Sequence, residues 1–297
     1  MLRLAHLSDL HLPLGLPRGA EWAGKRALSG LSWLRKRRRR HRMDVAQALR
    51  ADLLAHAPDM IAVTGDVVNF SCPHEFTAAA EFLAGLGPPQ RVIVLDGNHE
   101  ALVAGWRARM RVWGAYAPAQ TPVTRRVGDV ALIAVSTAIA TPPLLATGRV
   151  GPAAVVALAG RVAEARAAGL CPIVLMHHPP VRLTRARKAL RDEGPVAAAL
   201  AKAGAALVLH GHTHRAEMSQ IPSERGPIPV LGVPAFSLPA AHGPGLWREI
   251  TLATEKGWVE IRDHAITPDL TVVARTPLRL HLPQGSLAGG AEMANLA

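Results

Sequence analysis

The chain has 297 residues, of which 49% are apolar, and a formal net charge of +12. This length and apolar content exclude a disordered chain or a short disulfide-stapled one, and leave one large α/β unit or two small ones. Ten Lys and Arg against Glu21 alone fall within residues 18–42, so nine of the twelve charges form one local device and the rest of the chain is near neutral.

In chain order, Leu2 to Ser8 reads as a first strand, and residues 13–43 as an insertion with Pro13 and Pro17 ahead of the basic stretch. Met43 to His56 has helical spacing, with Val45, Leu49, Leu53 and Leu54 on one face. Met60 to Thr64 follows as a buried strand, Glu75 to Leu86 as a helix and Arg91 to Leu95 as a third strand. Two helical patches around Trp106 and Trp113 precede strands at Thr124–Val127 and Val130–Ser136. Val150 to Ala168 is Ala-rich and helical, Pro172 to Met176 a strand, Pro195 to Ala203 a helix and Ala206 to Leu209 a strand. From Pro227 the pattern turns β-like, at Ile228–Val233, Arg248–Ala253 and Trp258–Arg262. Residues 283–297 read as a flexible tail after a single domain spanning 1–282. The alternation gives the α/β class, and the late run of strands a second sheet.

Five polar motifs each follow a strand-like run: Asp9-Leu10-His11, Gly65-Asp66, Gly97-Asn98-His99-Glu100, His177-His178-Pro179-Pro180 and Gly211-His212-Thr213-His214. Open α/β sheets place their sites at such strand ends. Asp9 and His11 lie at i and i+2, so a strand continuing to that point would project both to one face; His212 and His214 repeat the spacing. Gly65 permits a tight turn before Asp66, whose two carboxylate oxygens can bridge two cations. Asn98 offers a carbonyl oxygen, and His177, His212 and His214 offer imidazoles. A mixed O/N donor set suits Mn, Fe or Zn better than Ca or Mg.

This set and order, spread from residue 9 to 214, closely resemble the calcineurin-like metallophosphoesterase superfamily, with similarity to the class III cyclic nucleotide phosphodiesterases and related bacterial phosphodiesterases. The resemblance implies a four-layer α/β/β/α sandwich with two mixed β-sheets. It implies two divalent metal ions, Mn foremost with Fe or Zn as alternatives. One would be held by Asp9, His11, Asp66 and His214, the other by Asp66, Asn98, His177 and His212, with Asp66 the bridge. It also implies in-line attack on phosphorus by a metal-activated hydroxide, with His99 acting on the leaving oxygen. Glu100 stands where the family often has Asp, and is expected to orient His99. The family's UDP-diacylglucosamine hydrolases tend to carry Arg at the place of His99, which argues against a direct match to them.

Taken singly these residues mean little: a lone Asp-x-His is usually a capping or surface pair, and two His before two Pro make a simple turn. The conjunction carries the reading. His178 stands open between a role beside the metals and plain packing. His6 and His210 read as core histidines; His41, His56, His74, His242, His264 and His281 as surface or loop residues; Trp106, Trp113, Trp247 and Trp258 as core. Cys72 could line the cleft or be a buried thiol. Cys72 and Cys171 form no metal or redox spacing, a disulfide between them is left open, and cysteine poverty fits a reducing compartment.

Residues 18–42 admit a solvated basic helix or disordered arm, a nucleic-acid grip, or a membrane-surface element. Six consecutive cations at 35–40 would neutralise phosphates. Trp22, Leu28, Leu31, Trp33 and Leu34 among them suit a headgroup region and are unnecessary for a phosphate clamp, so an anionic membrane surface is the favoured partner and nucleic acid the lesser one. Gly24 and Gly30 weaken a helix there. No signal peptide is visible, and Val130 to Ala146, broken by Ser136, Thr137, Pro142 and Pro143, falls short of the ~20 residues of a membrane span. The expected location is cytoplasmic, peripheral to the inner membrane if the basic segment docks there. The expected activity is a dinuclear-metal phosphoester hydrolase, foremost a phosphodiesterase. The alternatives are a hydrolase of a lipid-linked phosphoester or pyrophosphate, a nuclease, and a non-catalytic scaffold. The scaffold is disfavoured because all seven ligand positions and His99 are present.

Overall fold

Strand side chains alternate between two apolar layers, and that alternation builds the molecule. The computed structural model describes residues 1–284. The first half of the chain forms β1 (Leu2–Leu7), α1 (Lys25–Arg35), α2 (Met43–Ala55), β2 (Met60–Val63), α3 (Pro73–Ala84), β3 (Val92–Val94), α4 (Trp106–Met110), β4 (Val123–Val127) and β5 (Val130–Ala134). The second half forms α5 (Pro152–Ala167), β6 (Cys171–Leu175), α6 (Glu193–Ala203), β7 (Leu207–His210), β8 (Met218–Ile221), β9 (Ile228–Gly232), β10 (Leu246–Ala253), β11 (Trp258–Ile266), β12 (Val272–Ala274) and β13 (Leu278–His281).

One sheet has the order β12-β11-β10-β1-β2-β3, with β13 paired to β11; the other is β4-β5-β6-β7-β9-β8. The inner strands β1, β2 and β3 run parallel, as do β5, β6, β7 and β9, while the flanking pairs are antiparallel. Leu4, Met60, Ala62 and Ile93 of the first sheet meet Leu132, Ile173, Leu175 and Leu209 of the second in a layer between the sheets. The alternate residues Leu7, Ile61, Val63 and Val94 face Val45, Leu49, Phe76 and Leu83 of α2 and α3. Ile133, Val174 and Val208 face Leu158, Val162 and Leu200 of α5 and α6. Each parallel strand is thus buried on both faces, as its near-continuous apolar run requires, and the layers follow as α/β/β/α.

The strands and helices read from the sequence all appear, with shifted ends; the patch at Trp113 is a 3-10 turn. The edge strands β8, β12 and β13 escape a pattern reading because they carry little buried apolar surface. Cys72 and Cys171 are both buried and free, so no disulfide joins them. Among the expected surface histidines, His41 and His264 are in fact buried, His264 stacked 4.0 Å from Trp247 on the β10–β11 ladder. Trp106, Trp113 and Trp247 are core as expected, whereas Trp258 is half-buried. The expected tail begins on two described residues, Pro283 and Gln284, the latter donating its N–H to the Arg225 carbonyl at 2.7 Å; the remainder lies outside the described residues. Among the described residues no helix is long and apolar enough to cross a membrane.

Leu132 is fully buried between the sheets. Leu132→Ala is expected to cost about 2–5 kcal/mol, read as a lower urea midpoint with an unchanged slope.

Candidate metal centre

The five motifs lie at the C-terminal ends of β1, β2, β3, β6 and β7, so both sheets deliver side chains to one edge of the sandwich. Strand alternation is not what aligns them, contrary to the expectation from the i, i+2 spacing. β1 ends at Leu7, and Asp9 (φ 52) and His11 (φ 42) turn into the left-handed region beyond it. Asp66 (φ 54), His212 (φ 68) and His214 (φ 57) do the same. Five of the nine non-glycine residues with positive φ among the described residues are therefore sequence-predicted ligands. Such backbone costs about 1–3 kcal/mol per residue and persists where surrounding contacts fix it. Here the N–H groups of Asp9, His11 and Leu12 donate to the carbonyls of Gly65, Asp66 and Val67 at 2.9–3.0 Å, lacing the first motif to the second. Gly97 and Gly211 allow the remaining closeness: a Cβ at Gly97 would strike the Asp66 carboxylate, and one at Gly211 would strike Ser8 and lie 2.6 Å from Asp9 Oδ2.

Two groups of donor atoms result. In the first, Asp9 Oδ1 lies 3.0 Å from His214 Nε2 and 3.8 Å from His11 Nε2, and the two Nε2 atoms are 3.3 Å apart. In the second, His177 Nε2 lies 3.3 Å from Asn98 Oδ1, and the His212 ring is 5.2 Å from the His177 ring. Asp66 joins them. Its Oδ2 is 3.8 Å from His11 Nε2 and 3.4 Å from His177 Nε2, while its Oδ1 accepts the His99 backbone N–H at 2.7 Å. With Oδ1 so engaged, Oδ2 alone faces both groups, rather than one oxygen facing each.

The donor set fits cations. Asp9 Oδ1 is buried without a hydrogen bond although His214 Nε2 is 3.0 Å away, so the two atoms approach without donor geometry between them. Ligand atoms about 2.1 Å from a shared ion lie about 3.0–3.4 Å apart, the spacing of the closer pairs here. Two imidazoles are also held for ligation by backbone carbonyls. His177 Nδ1–H donates to Thr64 O and His212 Nε2–H to Lys188 O, both at 2.7 Å, leaving a lone pair on the other ring nitrogen of each. Groups of three that can hold a cation include Asp9, His11 and His214, and His177, His178 and His212.

The electrostatics follow from burial. Burial holds the His11 and His212 imidazoles far below their ordinary value, helped at His11 by Arg37 and at His212 by His178. For Asp66, burial alone would raise the carboxyl, but the neighbouring imidazoles, His177 first and then His99 and His11, together outweigh it and hold it low. Burial likewise disfavours charge on His177, yet the adjacent Asp66 pushes that imidazole up to about 10. Without a cation, a proton therefore occupies the place between His177 and Asp66.

His99 points its Nδ1 at the Asn69 carbonyl, 2.7 Å away, and its ring meets that of His11 edge-on at 4.7 Å. Burial and then Arg37 lower its pKa to about 4. Glu100 does not orient it. The Glu100 carboxylate instead accepts the backbone N–H groups of Asp66 and Gly97 on Oε2 and of Val67 and Val68 on Oε1, at 2.7–3.1 Å. Burial, with the Asp66 charge, pushes its carboxyl up to about 8, against four donors that favour the ionised form. His178 is buried, with Nδ1 2.7 Å from Thr137 Oγ1 and its ring 4.2 Å from that of His212, so it packs against a predicted ligand.

Sequence reasoning missed three contributors. Arg37, one of six consecutive cations, turns inward: Nη2 donates to His11 Nδ1 at 3.1 Å and to Asn69 Oδ1 at 3.2 Å. His41, assigned to the surface, is buried 4.6 Å from the His11 ring and parallel to Trp33. Asn69 supplies a carbonyl to His99 and an amide oxygen to Arg37. Only Asn69, three residues beyond Asp66 in the same loop, carried a positional hint. His6 and His210 are buried as expected, though His6 Nδ1 and His210 Nε2 lack partners. Cys72 is a buried thiol packed with Trp33 and Phe70.

The family model for calcineurin-like phosphoesterases matches residues 2–216. No curated protein matches the chain. Among solved structures, a dimetal phosphatase from Danio rerio is similar at TM-score 0.60 and 12% identity, covering 93% of this chain and 98% of that one. A putative 5'-nucleotidase from Staphylococcus aureus is similar at TM-score 0.50 and 12% identity, covering 95% of this chain but 54% of that one. At these identities the structural likeness is one of fold.

Because Asp66 raises His177, that interaction stabilises the metal-free fold in full below about pH 6.5 and is lost as pH rises through about 10. Ligation through His177 Nε2 must release that proton. Mn²⁺ affinity, measured against a competing chelator, is therefore expected to tighten about tenfold from pH 7 to pH 8; a flat profile would contradict the assignment. Glu100→Gln leaves buried N–H donors without acceptors and is expected to destabilise the fold by about 1–3 kcal/mol and to weaken metal binding. Were its role confined to His99, metal content and melting temperature would stay unchanged.

Proposed function

The chain belongs to the calcineurin-like phosphoesterase family, and from that premise we propose that it is a dinuclear-metal phosphodiesterase in which Asp9, His11, Asp66 and His214 hold one ion and Asp66, Asn98, His177 and His212 the other. Members of the family use a dinuclear divalent metal centre and hydrolyse phosphoesters. The observation that carries the ligand assignment is Asp66 Oδ2, set between His11 and His177 at 3.8 and 3.4 Å. Mixed oxygen and nitrogen donors favour Mn, with Fe or Zn as alternatives. Bound ions supply Lewis-acid activation of water and neutralise phosphoryl charge.

The chain's own residues do the rest. The Thr64 and Lys188 carbonyls fix the His177 and His212 tautomers. His99 keeps a proton on Nδ1 against the Asn69 carbonyl, so its Nε2 lone pair is the free nitrogen. An entering anionic phosphoryl group counteracts the burial that keeps His99 neutral, and the imidazolium so favoured stabilises charge on the leaving oxygen. Glu100 acts through the backbone of the Asp66 and Asn98 loops. A diester is preferred over a monoester on the likeness of the motif set to the phosphodiesterases of the family.

A second reading, hydrolysis of a lipid-linked phosphoester or pyrophosphate at the inner face of a membrane, is supported by the exposed Leu28, Leu31 and Leu34 on the segment that carries Arg37 to the centre. A nuclease would use the neighbouring cations as a nucleic-acid grip. Turnover of aryl monoester, aryl diester, cyclic nucleotides, lipid-linked pyrophosphate and single-stranded DNA, each with Mn²⁺, separates these. No turnover of any of them by metal-loaded protein would point to a scaffold.

Asp66→Ala removes a ligand from each ion, and metal analysis is expected to find neither site filled; two full sites would refute the bridge. His99→Ala is expected to retain both metals and lose about 10²–10⁴-fold in turnover, with the larger losses on esters of poor leaving groups.

A further inference from the structure

α1 turns its apolar residues outward. Leu28, Leu31 and Leu34 recur every three residues and are 47%, 45% and 40% exposed. At about 100° per residue they span an arc of roughly 120°. Trp22, 37% exposed, folds back so that its ring covers Gly30, where any Cβ would collide with it. Lys25 donates to Thr141 Oγ1 and the Leu145 carbonyl, tying to this helix the turn that carries Leu144, 77% exposed. These five side chains are close to half of the twelve large apolar residues exposed among the described residues, which is clustering rather than scatter.

The opposite side of the segment is anchored. Trp33 packs on Phe70 and Cys72, Arg26 donates to the Phe70 and Ser71 carbonyls, and Arg37 reaches His11. The outward face is therefore held in place and is not a loose arm. Beside it Arg35, Lys36, Arg38, Arg39 and Arg40 are all exposed. Among the described residues no carboxylate pairs with any of these five; the ion pair of this stretch is Arg42 with Asp44.

We propose that this face docks on an anionic bilayer surface, with Trp22, Leu28, Leu31 and Leu34 at the headgroup–acyl boundary and the five cations among lipid phosphates. The combination decides the occupant. Nucleic acid would use the cations and leave the leucines in water, whereas an interfacial helix uses both. A second copy of the chain would bring two unpaired cationic clusters together across a symmetric contact. The proposal deepens the lipid-linked reading of the substrate by naming the surface, and docking is measurable without catalysis.

The test is co-sedimentation of the full metal-loaded chain with phosphatidylcholine vesicles, with and without phosphatidylglycerol, at low and high salt. Binding is expected to need phosphatidylglycerol and to weaken with salt. The triple variant Leu28→Ser, Leu31→Ser, Leu34→Ser and the triple variant Arg38→Gln, Arg39→Gln, Arg40→Gln should each lose about tenfold to a hundredfold in partitioning, with aryl diester turnover unchanged. Wild-type protein remaining in the supernatant with phosphatidylglycerol vesicles overturns the proposal. So does oligonucleotide binding lost in the Arg variant with no vesicle binding, or a dimer that the Leu variant dissolves with no vesicle binding. Should the Leu variant fail to fold, the salt series and the Arg variant still decide. Vesicle binding without hydrolysis of a lipid-linked pyrophosphate would keep the docking surface and remove the lipid-linked substrate.

Discussion

The Asp66 carboxylate is almost fully buried, with one oxygen taken by the His99 backbone N–H and the other facing His11 and His177. A buried carboxylate is costly unless paired and hydrogen-bonded, so everything around it has to supply positive charge or N–H donors. His177 supplies charge by holding a proton or by ligating a cation, and the same nitrogen cannot do both. The surrounding backbone supplies the geometry at the expense of five left-handed residues. Their strain is sustained because β1, β2, β3, β6 and β7 fix both ends of each loop from inside a core buried on two faces.

Two glutamates complete the enclosure of the loop after β2. Glu100 accepts the N–H groups of Asp66, Val67 and Val68, and Glu75 those of Asn69, Phe70 and Cys72. Nearly every amide of that loop is thereby paired with a carboxylate, as buried backbone requires. Burial pushes the Glu75 carboxyl up to about 7 and that of Glu100 to about 8, while the donated N–H groups favour the ionised form and limit that rise. Glu100 at the fourth place of its motif is thus a backbone clamp on the Asp66 and Asn98 loops, and a longer side chain than Asp suits that reach.

The inner strands and the polar motifs that the structure brings together were legible in the sequence because both rest on local patterns. Buried parallel strands are apolar runs, and each motif follows one. What escaped was set by long-range contact. Asp9 and His11 meet through left-handed turns laced to the Gly65 loop, which strand periodicity cannot express. Arg37 is one of six consecutive cations, and only its position in the 3-10 turn after α1 singles it out. His41, amid Arg residues, looked solvent-facing, but Trp33 and Ser237 enclose it. The assignment of Glu100 to His99 failed because adjacency in a motif says nothing about which way a side chain leaves a tight turn.

The basic segment belongs to the site on one side and to solvent on the other, and Arg37 joins the two. Its Nη2 donates to His11 Nδ1, which places the proton of neutral His11 on Nε2, the nitrogen facing Asp9, Asp66 and His214. Ligation through that Nε2 requires its lone pair, so the proton moves to Nδ1, where it would confront the N–H of Arg37. Two donors cannot share that contact, and Arg37 is left with Asn69 Oδ1 as its acceptor. The change is confined to one guanidinium, because Arg26, Lys25 and Trp33 hold the helix independently. The outward leucines therefore do not depend on the Arg37–His11 contact for their place, and a shift of the His11 proton need not reach the exposed side of the segment.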